Sequence, residues 1–240
     1  MTQPGSAPVV QAGQQQLVRQ AARALARAQL VHAYGHCSMR LGERHFLVCA
    51  AKPMGLITTE DGTVVPIDGE LPEGVLGEVR IHQQIYQRRP EVGGVVRSMP
   101  KDVMTLSAAG ITPASRHGMG AYFSPGVPLW NDVQLIRSEQ QAQGVADAMG
   151  QSAAVVMRGN GAVVAAESLE KATALTWYLE DAARIELQLR SAGLASNDGV
   201  LAHQAATQRA TSAGRIFERM WEYMVAGDIE SGAFINENAQ

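Results

Sequence analysis

Apolar and polar positions change period several times along the chain, and each change marks an element. From Gln14 to about Leu30, Leu17, Ala21, Ala24, Leu25 and Ala28 recur at helical spacing in a stretch rich in alanine and arginine, which predicts a helix. Two short strand-like runs follow, His36–Arg40 and His45–Cys49, around a Gly-Glu-Arg turn. Lys52–Glu73 is rich in Gly, Pro, Thr and acidic residues and reads as loops, with one short strand near Thr63–Ile67. The stretch "GEVRIHQQIYQRRP" reads as a helix that Pro90 closes, "VGGVV" as a buried strand, and "DVMTLSAAG" as a short helix ending at Gly110.

Residues 111–131 look irregular, with Pro113, Pro125 and Pro128, and residues 138–149 look helical. "AAVVMRGNGAVVAA" predicts two strands joined by a Gly-rich turn. Ser168 has the chemistry of an N-cap, with Glu170 in the first turn. Leu169, Ala172, Leu175, Leu179, Ala182, Ile185 and Leu189 then trace one face of a long helix. A last helix near Arg215–Val225 carries Phe217, Trp221 and Met224. Intermixed strands and helices make an α/β or α+β chain. Residues 1–13, rich in Pro, Gly and Gln, read as a flexible tail, and residues 14–240 as one domain.

Composition narrows the function. With 46% hydrophobic and 18% charged residues, the 240-residue chain has ample material for a core. A net charge of −3 without blocks of like charge gives no reason to expect nucleic acid. No basic start and apolar core of a signal peptide is present, and no apolar run approaches the roughly 20 residues that span a bilayer. Cys37 and Cys49 lack CxxC spacing, so a reduced, cytoplasmic protein is expected, with no membrane partner. His36, Cys37, His45 and Cys49 are metal-capable, but neighbours on a strand face opposite ways, and they read mainly as packing and surface.

Three stretches together resemble the class II aldolase/adducin family over roughly residues 14–225. "GHCSMRL" is similar to its Gly-Asn-x-Ser-x-Arg strand, and "GEVRIHQQIYQRRPEVGGVV" to its Glu-x-x-x-His helix with the following strand. "AVVMRGNGAVVAAESLEKA" resembles the segment that carries its third metal ligand. The resemblance implies a single-domain α/β fold, a central, mostly antiparallel sheet with helices on both faces. It also implies a homo-oligomer, commonly a tetramer.

In metal-using members a His-x-His pair and one further histidine hold a divalent ion, and a glutamate shuttles the proton. These positions fall on Arg97, Met99, Asn160 and Glu78. Arginine has no lone pair to give, methionine sulfur is soft, and the Asn oxygen is a weak zinc ligand. The expectation is therefore no metal and no cofactor. A guanidinium does part of a metal's work, binding a carboxylate bidentately or facing a developing anion.

Glu78, Arg97, His82 and His117 are the catalytic candidates. His82 follows Glu78 by one helical turn, where it could tune the proton or simply pack. Asn160, Arg158, His36, Lys52 and Tyr122 are the substrate-binding candidates. The loop "ASRHGMGAYFSPGVPLW" resembles the branch acting on carboxylated aromatic rings, and ordinary loop anchoring explains its His117, Tyr122 and Phe123 equally well. The family's phosphate-gripping Ser-Ser pair and Gly-Asn turn fall on Leu76-Gly77 and Gly35-His36, which argues against a phosphorylated sugar.

Two readings follow. One is a metal-independent lyase on a small carboxylated, possibly aromatic, compound, working by decarboxylation, retro-aldol cleavage or elimination. The alternative is a non-catalytic, adducin-like binding or scaffold protein, in which Arg97 and Glu78 merely fill an abandoned pocket.

Overall fold

The computed structural model describes residues 7–231, so residues 1–6 of the expected tail and residues 232–240 lie outside it. Helix α1 spans Ala12–Arg27. Next come β1 (His36–Arg40), β2 (His45–Val48), β3 (Thr63–Pro66), α2 (Arg80–Arg88), β4 (Gly94–Ser98) and α3 (Lys101–Ala108). The second half holds β5 (Leu129–Trp130), α4 (Glu139–Met149), β6 (Ala154–Met157), β7 (Ala162–Ala166), α5 (Leu169–Ser191), α6 (His203–Arg209) and α7 (Ile216–Val225).

The seven strands form one sheet in the order β3-β2-β1-β4-β7-β6-β5, antiparallel throughout except for the parallel pair β5–β6. Helices cover both faces, as expected. One core holds Leu25 of α1, Leu106 of α3, Leu175 and Leu179 of α5, and Phe217 of α7. The other holds Ile81 and Ile85 of α2 with Val145 and Met149 of α4. The two-sided cover explains why β4, at the centre of the sheet, is buried at all five positions.

Local chemistry starts the helices where the sequence places them. Ser168 Oγ accepts the backbone N–H of Lys171 at 3.2 Å to cap α5. Ser138 does the same for Gln141 at 3.2 Å, and the Gln141 side chain reaches back to the Ser138 N–H at 3.1 Å, closing a capping box on α4. Besides short 3-10 turns and a start of α1 at Ala12, inside the stretch read as tail, three elements differ from the sequence reading. The segment at Gly77–Val79 is a 3-10 turn leading into α2, and the pairing of Leu129–Trp130 with β6 gives a strand inside the irregular stretch. Helix α6 is the third, a seven-residue element whose only buried residue is Ala206.

Candidate active site

Strand register and helix period place the site. On β1, His36 and Ser38 point to one face of the sheet, and the pairing of β1 with β4 sets His36 opposite Arg97. Cys37 points to the other face, into the core beside Cys49. Above the His36 face lie Glu78, His82 and Tyr86, four residues apart on α2 and the turn before it, so one helical stripe descends from solvent into the interior.

Asn160 comes in from the β6–β7 turn. Gly161 makes that turn possible: its φ is +80°, and a Cβ there would lie 2.0 Å from the Ser98 carbonyl oxygen. Gly35, just before β1, has φ +139°, and a Cβ would come within 2.7 Å of the Val31 side chain and 3.1 Å of the Arg97 carbonyl.

Gly35, His36, Glu78, Arg97 and Asn160 line a cleft of roughly 960 Å³ at the ends of β1 and β4. Its floor is polar. Arg97 is 2% exposed, its Nη2 donates to Asn160 Oδ1 at 2.8 Å, and its Nε lies 3.1 Å from Glu78 Oε2. Arg97 Nη1, Asn160 Nδ2 and His36 Nε2 are buried and have no hydrogen-bond partner in the protein. Buried polar atoms are rarely left unpaired, so this trio is free to pair with a bound molecule. The walls add Tyr34, Leu76 and Leu135, which are apolar and solvent-exposed, and Arg137.

The electrostatics follow from burial and the one ion pair. Desolvation pushes the Arg97 pKa down and Glu78 pushes back. Burial would raise the Glu78 carboxyl, but the His36 ring and the Arg97 charge outweigh it and hold the group below its ordinary value, so it rests as a carboxylate. Burial lowers His36, and it lowers His82 strongly, with nearby positive charge adding to the effect. Both imidazoles are therefore neutral at pH 7.

Behind His36 runs a chain of buried groups. His36 Nδ1 is 2.8 Å from His82 Nε2, His82 Nδ1 is 2.6 Å from Ser38 Oγ, and Ser38 Oγ is 2.9 Å from the Tyr86 hydroxyl. Tyr86 Oη also donates to the Ser38 carbonyl at 3.1 Å.

The cleft gathers five of the nine candidates: Glu78, Arg97, Asn160, His36 and Lys52, the last on the rim and ion-paired with Glu60. His82 shares Glu78's helical stripe but bonds to His36 and Ser38, so it does not reach the cleft. Three candidates lie elsewhere in the chain. Arg158 bonds Asn131 at 3.0 Å, on the outer side of the turn that carries Asn160. His117 sits 3.9 Å from Asp181 of α5. Tyr122 donates to the Thr211 carbonyl at 2.6 Å and packs on Tyr178 and Phe217. Ser38, Tyr86 and Arg137 were not among the candidates. Serine two residues after His36 and tyrosine four after His82 carry a readable spacing, whereas Arg137 reaches the cleft through an irregular loop that leaves no periodic trace.

Comparison with known proteins bears on the family and the fold. The family model for the Class II Aldolase and Adducin N-terminal domain matches residues 16–187. A 3,4-dihydroxyphthalate decarboxylase of Arthrobacter keyseri is 33% identical over 80% of this chain and 84% of its own. One from Terrabacter sp. is 30% identical over 78% of this chain and 85% of its own. Among solved structures, L-fuculose-1-phosphate aldolase from Thermus thermophilus superposes with a TM-score of 0.69 at 27% identity, covering 78% of this chain and 98% of that one.

A divalent ion does not suit the donors present. Arg97, Met99 and Asn160, where the resemblance would set the metal ligands, offer a protonated guanidinium, a thioether and an amide, and the guanidinium already places a cation beside Glu78. Among the described residues no group of three His, Cys, Asp or Glu side chains is placed to hold a metal. No helix among them is long and apolar enough to cross a membrane.

Proposed function

The chain belongs to the class II aldolase and adducin family, and from that premise we propose that it is a decarboxylase of aromatic carboxylates that works without a metal ion. The observation that carries the reading is the set of unpaired buried donors, Arg97 Nη1 and Asn160 Nδ2, on the floor of an open cleft. A carboxylate satisfies both at once, one oxygen accepting from Arg97 Nη1 in a charge-assisted bond and the other from Asn160 Nδ2. The apolar rim of Tyr34, Leu76 and Leu135 offers faces for a ring. Leu76, Gly77 and Gly35 line the cleft where a phosphate grip would need side-chain hydroxyls, so an acid fits better than a sugar phosphate.

Glu78 is the proton carrier. In the free site it is ionised beside Arg97. A bound carboxylate neutralises Arg97 and adds a second negative charge nearby, and both effects raise the Glu78 pKa. The residue then arrives at the reaction protonated, ready to place its proton on the ring carbon that loses CO2. Arg137 adds positive potential at the rim, where the charge of Lys52 is balanced by Glu60. His82, within the chain behind His36, supports that residue. The open cleft favours this reading over the scaffold alternative, which expects the pocket to be filled. A homo-oligomer is part of the proposal, tested by light scattering of the purified protein.

The direct test is release of CO2 from 3,4-dihydroxyphthalate by protein purified without added metal, with and without a strong chelator. Turnover that survives the chelator is expected. No CO2 from this or related ring acids would overturn the decarboxylase reading, and turnover abolished by the chelator and restored by a metal would overturn its metal-free part.

A further inference from the structure

The unpaired Nε2 of His36 has no role in the scheme above, yet it lies in the same cleft as Arg97 and Glu78. We propose that His36 is the base that takes the proton of a ring hydroxyl, so that the substrate class is narrowed to aromatic acids with a hydroxyl conjugated to the departing carboxylate. This rests on the decarboxylase reading and deepens it.

The argument is a count of hydrogens along the buried chain. His36 faces Glu78 from the turn before α2, Arg97 from β4 and His82 from α2. In one polarity Tyr86 donates to the Ser38 carbonyl, Ser38 to the Tyr86 oxygen, His82 Nδ1–H to Ser38, and His36 Nδ1–H to His82 Nε2. Every donor along this chain then has an acceptor, and His36 keeps a bare lone pair on Nε2, on the side of Glu78, which lines the cleft. In the reverse polarity Nε2 carries a hydrogen that faces the Glu78 carboxylate, 3.9 Å away. Once Glu78 takes up a proton on substrate binding, that carboxylate is gone and the accepting polarity is free to form. The Tyr86 hydroxyl is what lets Ser38 donate away from His82, so Ser38 and Tyr86 are positioning residues for the His36 tautomer.

The steps balance. The hydroxyl O–H bond breaks, its proton bonds to His36 Nε2, and the oxygen's electrons enter the ring. The ring carbon that bears the departing carboxylate takes the Glu78 proton, forming a C–H bond. The C–C bond to the carboxylate then breaks, CO2 leaves, and the bonding pair restores the aromatic ring. His36 returns its proton to the oxygen. The net exchange is one proton from Glu78 for one CO2, and no oxidant or reductant is needed.

The test uses 3,4-dihydroxybenzoate as the probe and reads its ionisation in the bound state from the ultraviolet difference spectrum, which needs no turnover. The native protein is expected to bind it with a hydroxyl ionised at least about one pH unit below the free compound. His36→Gln should lose that ionisation while Arg97 still holds the acid, and should lower kcat by about 100-fold. Glu78→Gln should keep the ionisation and lose turnover. Tyr86→Phe should reduce the ionised fraction, because Ser38 then lacks an acceptor in the accepting polarity.

A native complex in which the bound hydroxyl stays neutral overturns the inference, whether or not H36Q folds. So does an H36Q complex that ionises the probe as well as the native one does. Failure of the native protein to bind the probe, with no CO2 released from any hydroxylated ring acid, overturns the decarboxylase reading and this inference with it. Turnover without ionisation overturns this inference alone.

Discussion

Arg97→Met is the sharpest perturbation of the site. Methionine keeps the length and the apolar stem and removes the fork. What is lost on the ligand side is a charge-assisted, buried pair at the cleft floor. Truncating one partner of such a pair typically costs about 2–5 kcal/mol, and 3 kcal/mol corresponds to roughly 150-fold in Kd. What is lost in the folded protein is smaller. Glu78 and Asn160 Oδ1 lose their partner; the Glu78 side chain is 22% exposed and can protonate rather than stay charged, so a stability loss of about 2 kcal/mol is expected. The assay is calorimetric titration of 3,4-dihydroxybenzoate into native, R97M and R97K proteins, with thermal unfolding as the check on folding. R97K keeps the charge but not the planar fork, so it should recover only part of the affinity. A folded R97M that binds within about threefold of native, well under the charged-pair cost, would refute the assignment of Arg97 as the carboxylate site.

Other consequences are open to measurement. Binding of the same acid should take up as much as one proton, because Glu78 begins ionised and its pKa rises in the complex; titrations in two buffers of different ionisation enthalpy read this directly, and zero uptake across about pH 5 to 8 would remove Glu78 as the acid. Asn160→Asp sets a carboxylate 2.8 Å from Arg97 and should weaken anion binding about tenfold or more, read as Kd; unchanged affinity would show that the fork is not the anion site. Asp228, buried between Arg23 and Arg27, is held near a pKa of about 2 because their hydrogen bonds outweigh its desolvation. Its folded pKa lies below its ordinary value of 3.8, so its stabilisation, on the order of 2 kcal/mol, is present above that value and is lost as pH falls through about 2. Asp228→Asn should lower urea-unfolding stability by about 2–3 kcal/mol at pH 7 and flatten that acid limb, and a change below about 0.5 kcal/mol would contradict it.

The stripe Glu78–His82 and the alternation around His36 could be read from spacing alone, because helix and strand periods dictate which side chains share a face. The capped start of α5 was equally legible, since Ser168 acts through a contact three residues away, whereas the Ser138 cap on α4 came only with the structure. What spacing did not yield was register. Nothing local says that His36 stands opposite Arg97, and that pairing is what brings Arg97 and His36 into one site, with His82 behind His36. Arg158 illustrates the opposite failure. It is two residues from Asn160, but the Gly159–Gly161 turn reverses the chain between strands and sends its side chain to Asn131 instead. His117 and Tyr122 are tied down by Asp181, Thr211 and Tyr178, partners far away in sequence that no short pattern announces.

Energetics also decide which acid group Arg97 holds. A decarboxylation drains negative charge from the departing carboxylate, so a cation bound to that group stabilises the ground state more than the transition state and slows the reaction. The fork has a second neighbour whose charge grows instead: Glu78, 3.1 Å away, becomes a carboxylate as it gives up its proton. Arg97 therefore helps the chemical step when it holds an anionic group that stays on the ring and faces Glu78 as it ionises. That points to a substrate with a second acidic group beside the one that leaves. For such a ring diacid, Arg97→Lys should lower kcat and kcat/KM together, because the lost interaction is needed in the transition state. For a monoacid whose only carboxylate departs, the same change should raise KM and leave kcat equal or higher. A diacid whose KM rises in R97K while kcat stays at the native value would place the departing carboxylate on Arg97 and refute this assignment.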